Sequence, residues 1–216
     1  MSDITVVIPT IPGREALLDR AMRSVLAQDL PPAAALVVPD THGHGAPRTR
    51  HAGLEAVTTR WVAFLDDDDE FKPEHLAALR AAADEQDADY VFSWYDVVGG
   101  TDPRASEFGL PWDPEHPRQT TVTTLVNTAL AQEVGGFLDE ADDLSEPGRR
   151  FAGEDWLFTL RVNAAGGRIF HLPQRTWRWH HHGGNTSGLP QNRPTAARSS
   201  EAALDSRGRR RRRPRR

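Results

Sequence analysis

Four consecutive carboxylates, Asp66, Asp67, Asp68 and Asp69, follow directly on the apolar run Trp61 to Leu65. Charges this close repel one another unless a cation or solvent relieves them. Taken alone, such a run reads as a solvated acidic loop. Placed at the end of a buried strand, it becomes a loop of hard oxygen ligands. That donor set suits Mg²⁺ or Mn²⁺ and, through the ion, a diphosphate. An EF-hand is excluded, because the loop lacks the glycine and the distant bidentate glutamate at the required spacing.

The elements needed to position these carboxylates can be read on either side of them. Ile4 to Pro9 is a short β-branched apolar run and predicts a buried strand. Leu17, Leu18, Ala21, Met22, Val25 and Leu26 recur at helical spacing, so an amphipathic helix is expected from Arg14 to about Gln28. Ala35 to Val38 predicts a second buried strand, closed by Pro39 and Asp40. A helix over Arg48 to Thr58 and the strand Trp61 to Leu65 follow. Pro73 opens a further helix, with Leu76, Leu79 and Ala83 on one face. Ala88 to Trp94 predicts a fourth strand. Strands alternating with helices define an α/β protein with a mostly parallel sheet. Ligands of such sheets sit at the carboxyl ends of the strands, where Asp40 and Asp66 to Asp69 fall.

The second half is less regular. Gly99 to Pro117 reads as a long loop, Thr121 to Leu130 as a strand leading into a short helix, and Gly135-Gly136-Phe137 as a turn. Glu154 to Ala165 predicts a helix and Arg168 to Leu172 a short strand. From about Gly188 the chain is polar and aperiodic, the composition of a disordered segment. The expected organisation is one domain over residues 1–187 and a tail over 188–216.

The net charge of −5 conceals an asymmetry. Eight arginines lie between Arg207 and Arg216, leaving 18 basic and 31 acidic residues over 1–206, a net of −13. Nucleic acid or an anionic surface is therefore a candidate partner for the tail, not for the acidic body. The sequence has no cysteine, which rules out disulfides and thiolate metal sites. The N-terminus lacks a secretory pattern, and the longest apolar run, Ala33 to Val38, is six residues. No transmembrane segment is expected, and the expected compartment is the cytoplasm.

Several motifs in order carry a resemblance. Trp61 to Phe71 resembles the strand and DXD motif of family 2 glycosyltransferases of the GT-A fold, a Rossmann-like, mostly parallel sheet flanked by helices. Val6 to Arg14 is similar to their first strand and turn, although Ile11, Pro12 and Gly13 stand where Tyr-Asn is common. Arg48 to Gly53 resembles their Ala-Arg-Asn-x-Gly segment, with His51 in place of the asparagine. Gly135-Gly136-Phe137 is similar to their GGF turn, and Glu154-Asp155 to their Glu-Asp motif. Arg178 with His180 to His182 is similar to their terminal Arg-x-His segment.

This resemblance implies a nucleotide-sugar donor and a Mn²⁺ or Mg²⁺ cofactor. It assigns Pro9, Thr10, Arg14, Asp40, Arg50, Asp66, Asp67 and Arg178 to the nucleotide sugar. Asp40 faces the nucleobase, where Thr41 and His42 replace the usual aspartate and serine, so the base is left open. Asp66 faces the ribose. Asp68 binds the metal, with His182 or His180 as the histidine that reaches it and Asp69 as a helper. Asp155 resembles the catalytic base, with Glu154 beside it to hold the acceptor or act in its place. The chemistry agrees: an attacking hydroxyl needs a carboxylate to take its proton. A departing nucleoside diphosphate needs its developing charge neutralised. Asp155 opens a helix, where the macrodipole favours the anion, although a helix cap is its simplest alternative role.

Arg175 to Trp179 is similar to the QxxRW signature of processive enzymes, but Gln174 lies one position too far upstream. Single, inverting sugar transfer is expected. A retaining enzyme of the same fold, and a nucleic-acid-binding protein acting through the arginine tail, are the alternatives. A nucleotidyltransferase is disfavoured, because Thr10 to Arg14 is not a glycine-rich, lysine-bearing loop. The acceptor is unknown from sequence.

Overall fold

The structure is a computed structural model, and the residues it describes are 2–137 and 153–181. Met1–His180 forms one compact unit. Strand β1 is Ile4–Thr10, followed by helix α1, Glu15–Leu26, and strand β2, Ala34–Pro39. Helix α2, Ala46–Glu55, leads to β3, Trp61–Phe64, and then to a two-residue strand β4, Glu70–Phe71. Helix α3, His75–Glu85, is followed by β5, Tyr90–Val98, and β6, Thr124–Asn127. Helices α4, Thr128–Glu133, and α5, Glu154–Ala164, precede the last strand β7, Ile169–His180.

The seven strands form one sheet in the order β2-β1-β3-β6-β5-β7-β4. β1 pairs in parallel with β2 and β3, and β5 with β7, while β6 runs antiparallel between β3 and β5. Five strands therefore share one direction, and their carboxyl ends meet at one edge. Two apolar layers cover the sheet. Ile4, Val6, Ile8, Trp61, Leu76 and Leu79 pack on the α1 and α3 side. Val7, Leu54, Phe64, Phe92, Phe137 and Phe158 pack on the α2 and α5 side. Alternate residues of β1 and β3 thus enter opposite layers, as the two-residue period of a strand demands.

Two features differ from the sequence-based expectation. The short strand expected over Arg168 to Leu172 instead runs to His180, with register shifts around Trp94 that let it follow β5 past a bulge. Pro173 and Gln174 sit at that irregularity, and Pro173 interrupts the apolar pattern from which the strand was read. The second is β4. It is two residues long and inside a charged segment, so it has no periodicity to detect; pairing with β7 creates it. Among the described residues no helix is long and apolar enough to cross a membrane. The tail expected to be disordered lies outside the described residues.

Candidate functional site

The acidic run leaves β3 at the carboxyl edge and turns tightly, the Asp69 N–H donating to the Asp66 carbonyl at 3.1 Å. Each carboxylate finds a different relief. Asp67, 3 % exposed, accepts the Thr10 hydroxyl at 2.6 Å and Arg14 Nη1 at 2.7 Å. The same arginine nitrogen reaches Asp68 at 3.3 Å, and Arg20 donates to the Asp68 carbonyl. Asp69 accepts the His180 N–H at 2.9 Å. Burial, then the neighbouring charges of Asp66 and Asp68, push the Asp69 carboxyl well above its ordinary range. One carboxylate oxygen each from Asp66, Asp68 and Asp69 lie within 4.8 Å of one another. Three hard oxygens this close, with one acid already reluctant to ionise, fit a divalent cation of the Mg²⁺ or Mn²⁺ type.

The acid run is tied to the far edge of the sheet through β4. Glu70 pairs in register with Arg178 of β7. Its carboxylate bonds His180 Nε2 and stands 4.0 Å from Arg178 Nη1 and 3.9 Å from Arg20 Nε. Arg178 and His180 are thereby brought beside Asp69. His182 lies outside the described residues.

At the other end, Asp66 accepts Arg50 Nη2 at 2.6 Å, and the opposite amino group of Arg50 pairs with Glu154. The Arg50 side chain is 7 % exposed and lies over the Phe137 ring at 5.8 Å. Helix α2 can carry Arg50 this deep because Gly53 lies against β1. A Cβ there would stand 2.4 Å from Val7 Cγ1. Phe137 is placed by the left-handed turn at Gly135 and Gly136, and Arg161 of α5 donates to the Gly136 carbonyl. Any side chain at Gly136 would collide with Leu54 and His51 of α2. The GGF turn therefore wedges α2 against α5.

The N-cap of α5 is Gly153, with Glu154 and Asp155 inside its first turn. Its Oδ1 accepts the Trp156 N–H at 2.8 Å. Burial, reinforced by the charge of Glu154 and opposed by Arg50, raises the Asp155 carboxyl to about 6. That value suits a group that must accept a proton near neutrality.

Asp40 closes β2, its N–H donating to the Thr10 carbonyl at 2.7 Å. Its two oxygens accept the N–H groups of His44 at 2.9 Å and Gly45 at 2.7 Å. Those backbone bonds hold it below the ordinary carboxylate range. Asp40 thus staples the loop into α2, the helix that carries Arg50. Pro9 is buried within β1 opposite Val38 and shapes the strand. Trp177, 3 % exposed, packs on Tyr95 in the core.

Two residues of the site went unread in the sequence, Arg20 and Glu70. Glu70 adjoins the aspartates and looked like more of the same charge. Arg20 lies six positions beyond Arg14 on the α1 helix, a spacing that alone does not point to a loop after β3.

A doubly covered, mostly parallel sheet of this topology, with acidic residues gathered at its carboxyl edge, is the GT-A fold. Residues 34–132 match the model of glycosyl transferase family 2. The chain is 29 % identical to the succinoglycan biosynthesis protein ExoW of Rhizobium meliloti over 166 residues, 64 % of this chain and 50 % of that protein. It is 25 % identical to the succinoglycan biosynthesis protein ExoO of the same organism, over 86 % of this chain and 62 % of that protein. Among solved structures, S. aureus TarS 1–349 in complex with UDP-GlcNAc superposes with a TM-score of 0.69 at 20 % identity. That match covers 88 % of this chain and 62 % of TarS 1–349. The match to the glycosyl transferase family 2 model lies within one segment of this chain, residues 34–132. The chain spans about half to three-fifths of the length of the relatives it matches.

Proposed function

We propose that the chain transfers a sugar, one unit at a time and with inversion, from a nucleoside diphosphate sugar to an acceptor hydroxyl. The observation that carries this reading is the Arg50 bridge. One buried guanidinium bonds Asp66 of the donor-side acid run and Glu154, the neighbour of Asp155. That contact supports a reading in which donor ligands and a proton acceptor share one site. The UDP-GlcNAc held by TarS makes UDP the first nucleotide to consider. The succinoglycan relatives make a growing glycan the first acceptor class.

In this reading Asp66, Asp68 and Asp69 hold a divalent cation, with His180 beside them. When bound, the ion supplies positive charge to the donor's diphosphate. Arg178 and Arg14 add cationic charge at the same edge. Arg14 is shared between Asp67 and Asp68, so it can turn toward an anion without leaving either carboxylate far behind. Asp155 takes the proton of the acceptor hydroxyl as that oxygen bonds to the anomeric carbon. The bond from that carbon to the diphosphate oxygen breaks in the same displacement, which inverts the centre. Glu154, fixed by Arg50, orients the acceptor.

Calorimetric titration of UDP, GDP and dTDP with and without Mn²⁺, on the native chain and on Asp68→Ala, tests the donor half. One nucleotide should bind in a Mn²⁺-dependent way and lose that dependence in the variant. No binding by any nucleotide in either condition would refute the reading.

A further inference from the structure

The segment that leaves the acid run is held by side chains of one helix. Arg20 and Ser24 of α1, and Gln28 just beyond its end, are spaced by four residues and so line one face. All three bond the backbone of the chain that follows β3. Arg20 donates to the Asp68 carbonyl. Ser24 Oγ accepts the Phe71 N–H at 3.0 Å. Gln28 Nε2 donates to the Lys72 carbonyl at 2.8 Å, and Gln28 Oε1 accepts the Leu76 N–H at 2.9 Å. The Asp29 N–H adds a bond to the Pro73 carbonyl at 2.9 Å.

The position of β4 explains why such a row is needed. β4 ends the sheet, paired on one side with β7. An edge strand leaves backbone groups on its other side that still require partners. Here α1 supplies them with side chains in place of another strand.

Arg20 differs from the other two. Ser24 and Gln28 bond residues beyond the aspartates, whereas Arg20 reaches the acid run itself. It does so through a carbonyl, which fixes the peptide between Asp68 and Asp69 without occupying a carboxylate oxygen. Those two residues supply two of the three oxygens that converge within 4.8 Å. A rotation of that peptide would swing both carboxylates relative to Asp66. A guanidinium here would also repel an incoming cation, and Glu70, 3.9 Å from Arg20 Nε, offsets that charge.

We propose that Arg20 is a positioning residue for the divalent cation. Anchored on α1, it sets the Asp68–Asp69 peptide so that the carboxylates of Asp66, Asp68 and Asp69 converge before the ion arrives. The proposal rests on the reading of the acid run as the metal-bearing donor site. Ligands held in place beforehand bind an ion without the cost of ordering the loop that carries them.

Titration of Mn²⁺ into the full chain, read by loss of the free-ion EPR signal with and without UDP, tests it. Arg20→Met keeps the packing stem and removes the donor, and it should weaken Mn²⁺ binding about tenfold. Arg20→Lys keeps a cationic donor and should weaken binding less. Ser24→Ala removes a bond to the segment beyond the aspartates and should leave the Mn²⁺ affinity close to native. Urea unfolding of each variant reads the cost to the fold separately. Native affinity in Arg20→Met, or an equal weakening in all three variants, overturns the proposal. So does a native chain that takes up no Mn²⁺. UDP reads the donor site independently. Mn²⁺ uptake with no binding of UDP sinks the donor reading alone, whereas UDP and Mn²⁺ binding that Arg20→Met leaves unchanged sinks this proposal alone.

Discussion

Asp155 sits between two charges of opposite sign, and removing each should move its titration in opposite directions. Its carboxyl is raised to about 6 by burial first and by Glu154 second, with Arg50 opposing. In the proposed role of general base it must be ionised, so kcat/KM should fall on the acid side. With a pKa of about 6, about nine-tenths of the enzyme is competent at pH 7 and about one-tenth at pH 5. The native profile should therefore drop about tenfold per unit well below pH 6. Arg50→Met removes the charge that favours the anion, so the acid limb moves to higher pH. Glu154→Gln removes the charge that disfavours it and leaves Arg50 nearer in effect, so the limb moves to lower pH. Asp155→Asn sets the baseline, with a loss of about 10²- to 10⁴-fold in kcat and no acid limb in this range. The assay is initial-rate sugar transfer across pH 4.5–8 with saturating donor, giving kcat/KM for the acceptor. A shift of both variants in the same direction would refute the assignment.

Three further outcomes follow from the packing and charge of the same elements. Gly53→Ala would place its Cβ 2.4 Å from Val7 Cγ1 and 3.1 Å from Val38 Cγ2. The overpacking costs about 1–3 kcal/mol, offset by up to about 1 kcal/mol of helix propensity, and urea unfolding should show a net loss. His75 is fully buried, stacked on Phe71, with its pKa lowered to about 3 by desolvation. The unfolded chain binds this proton near pH 6.5 and the native state does not, so stability is complete above 6.5 and falls toward pH 3. The slope is about 1.4 kcal/mol per unit, and His75→Phe should flatten it by one proton. Asp69, whose carboxyl is raised well above its ordinary range, must ionise to hold a cation. Mn²⁺ binding at acid pH should then release protons, seen as a binding enthalpy that differs between buffers of different ionisation enthalpy. Equal enthalpies would refute a proton leaving Asp69 on binding.

The first half of the fold was legible because its signals are local. Ile4 to Pro9 and Trp61 to Leu65 are continuous apolar runs, and the faces of α1 and α3 repeat at helical spacing. Each boundary lies within a few residues of its expected position. Two things were not legible. Strand β6 inserts antiparallel between β3 and β5, a pairing no local pattern encodes, since Thr124 to Asn127 reads equally well beside either neighbour. The contact of Glu70 with His180 spans 110 residues and depends on β4 and β7 being brought together. The site followed the same division. Asp66 to Asp69 and Asp40 announced themselves at strand ends. That Asp40's carboxylate would staple its own loop, and that Arg50 would join Asp66 to Glu154, required coordinates.

The four aspartates show why the arginines around them are distributed as they are. A single cation would have to neutralise four charges at once. Instead Asp66 is matched by Arg50, Asp67 by Thr10 and Arg14, and Asp69 by a backbone N–H that carries no full charge. Arg14 divides itself between Asp67 and Asp68. Burial and the charges of Asp66 and Asp68 hold the Asp69 carboxyl well above its ordinary range, next to Asp66. Those three carry the oxygens that converge within 4.8 Å. The arrangement makes a divalent ion and a diphosphate arrive as compensating partners. The ion relieves the carboxylates, the diphosphate relieves the ion, and Arg178 at 4.0 Å from Glu70 remains close by for the remaining anionic charge. Replacing Asp67 by asparagine should accordingly disturb the site less than replacing Asp68, because Asp67 is held by Thr10 and Arg14 while Asp68 supplies one of the three converging oxygens.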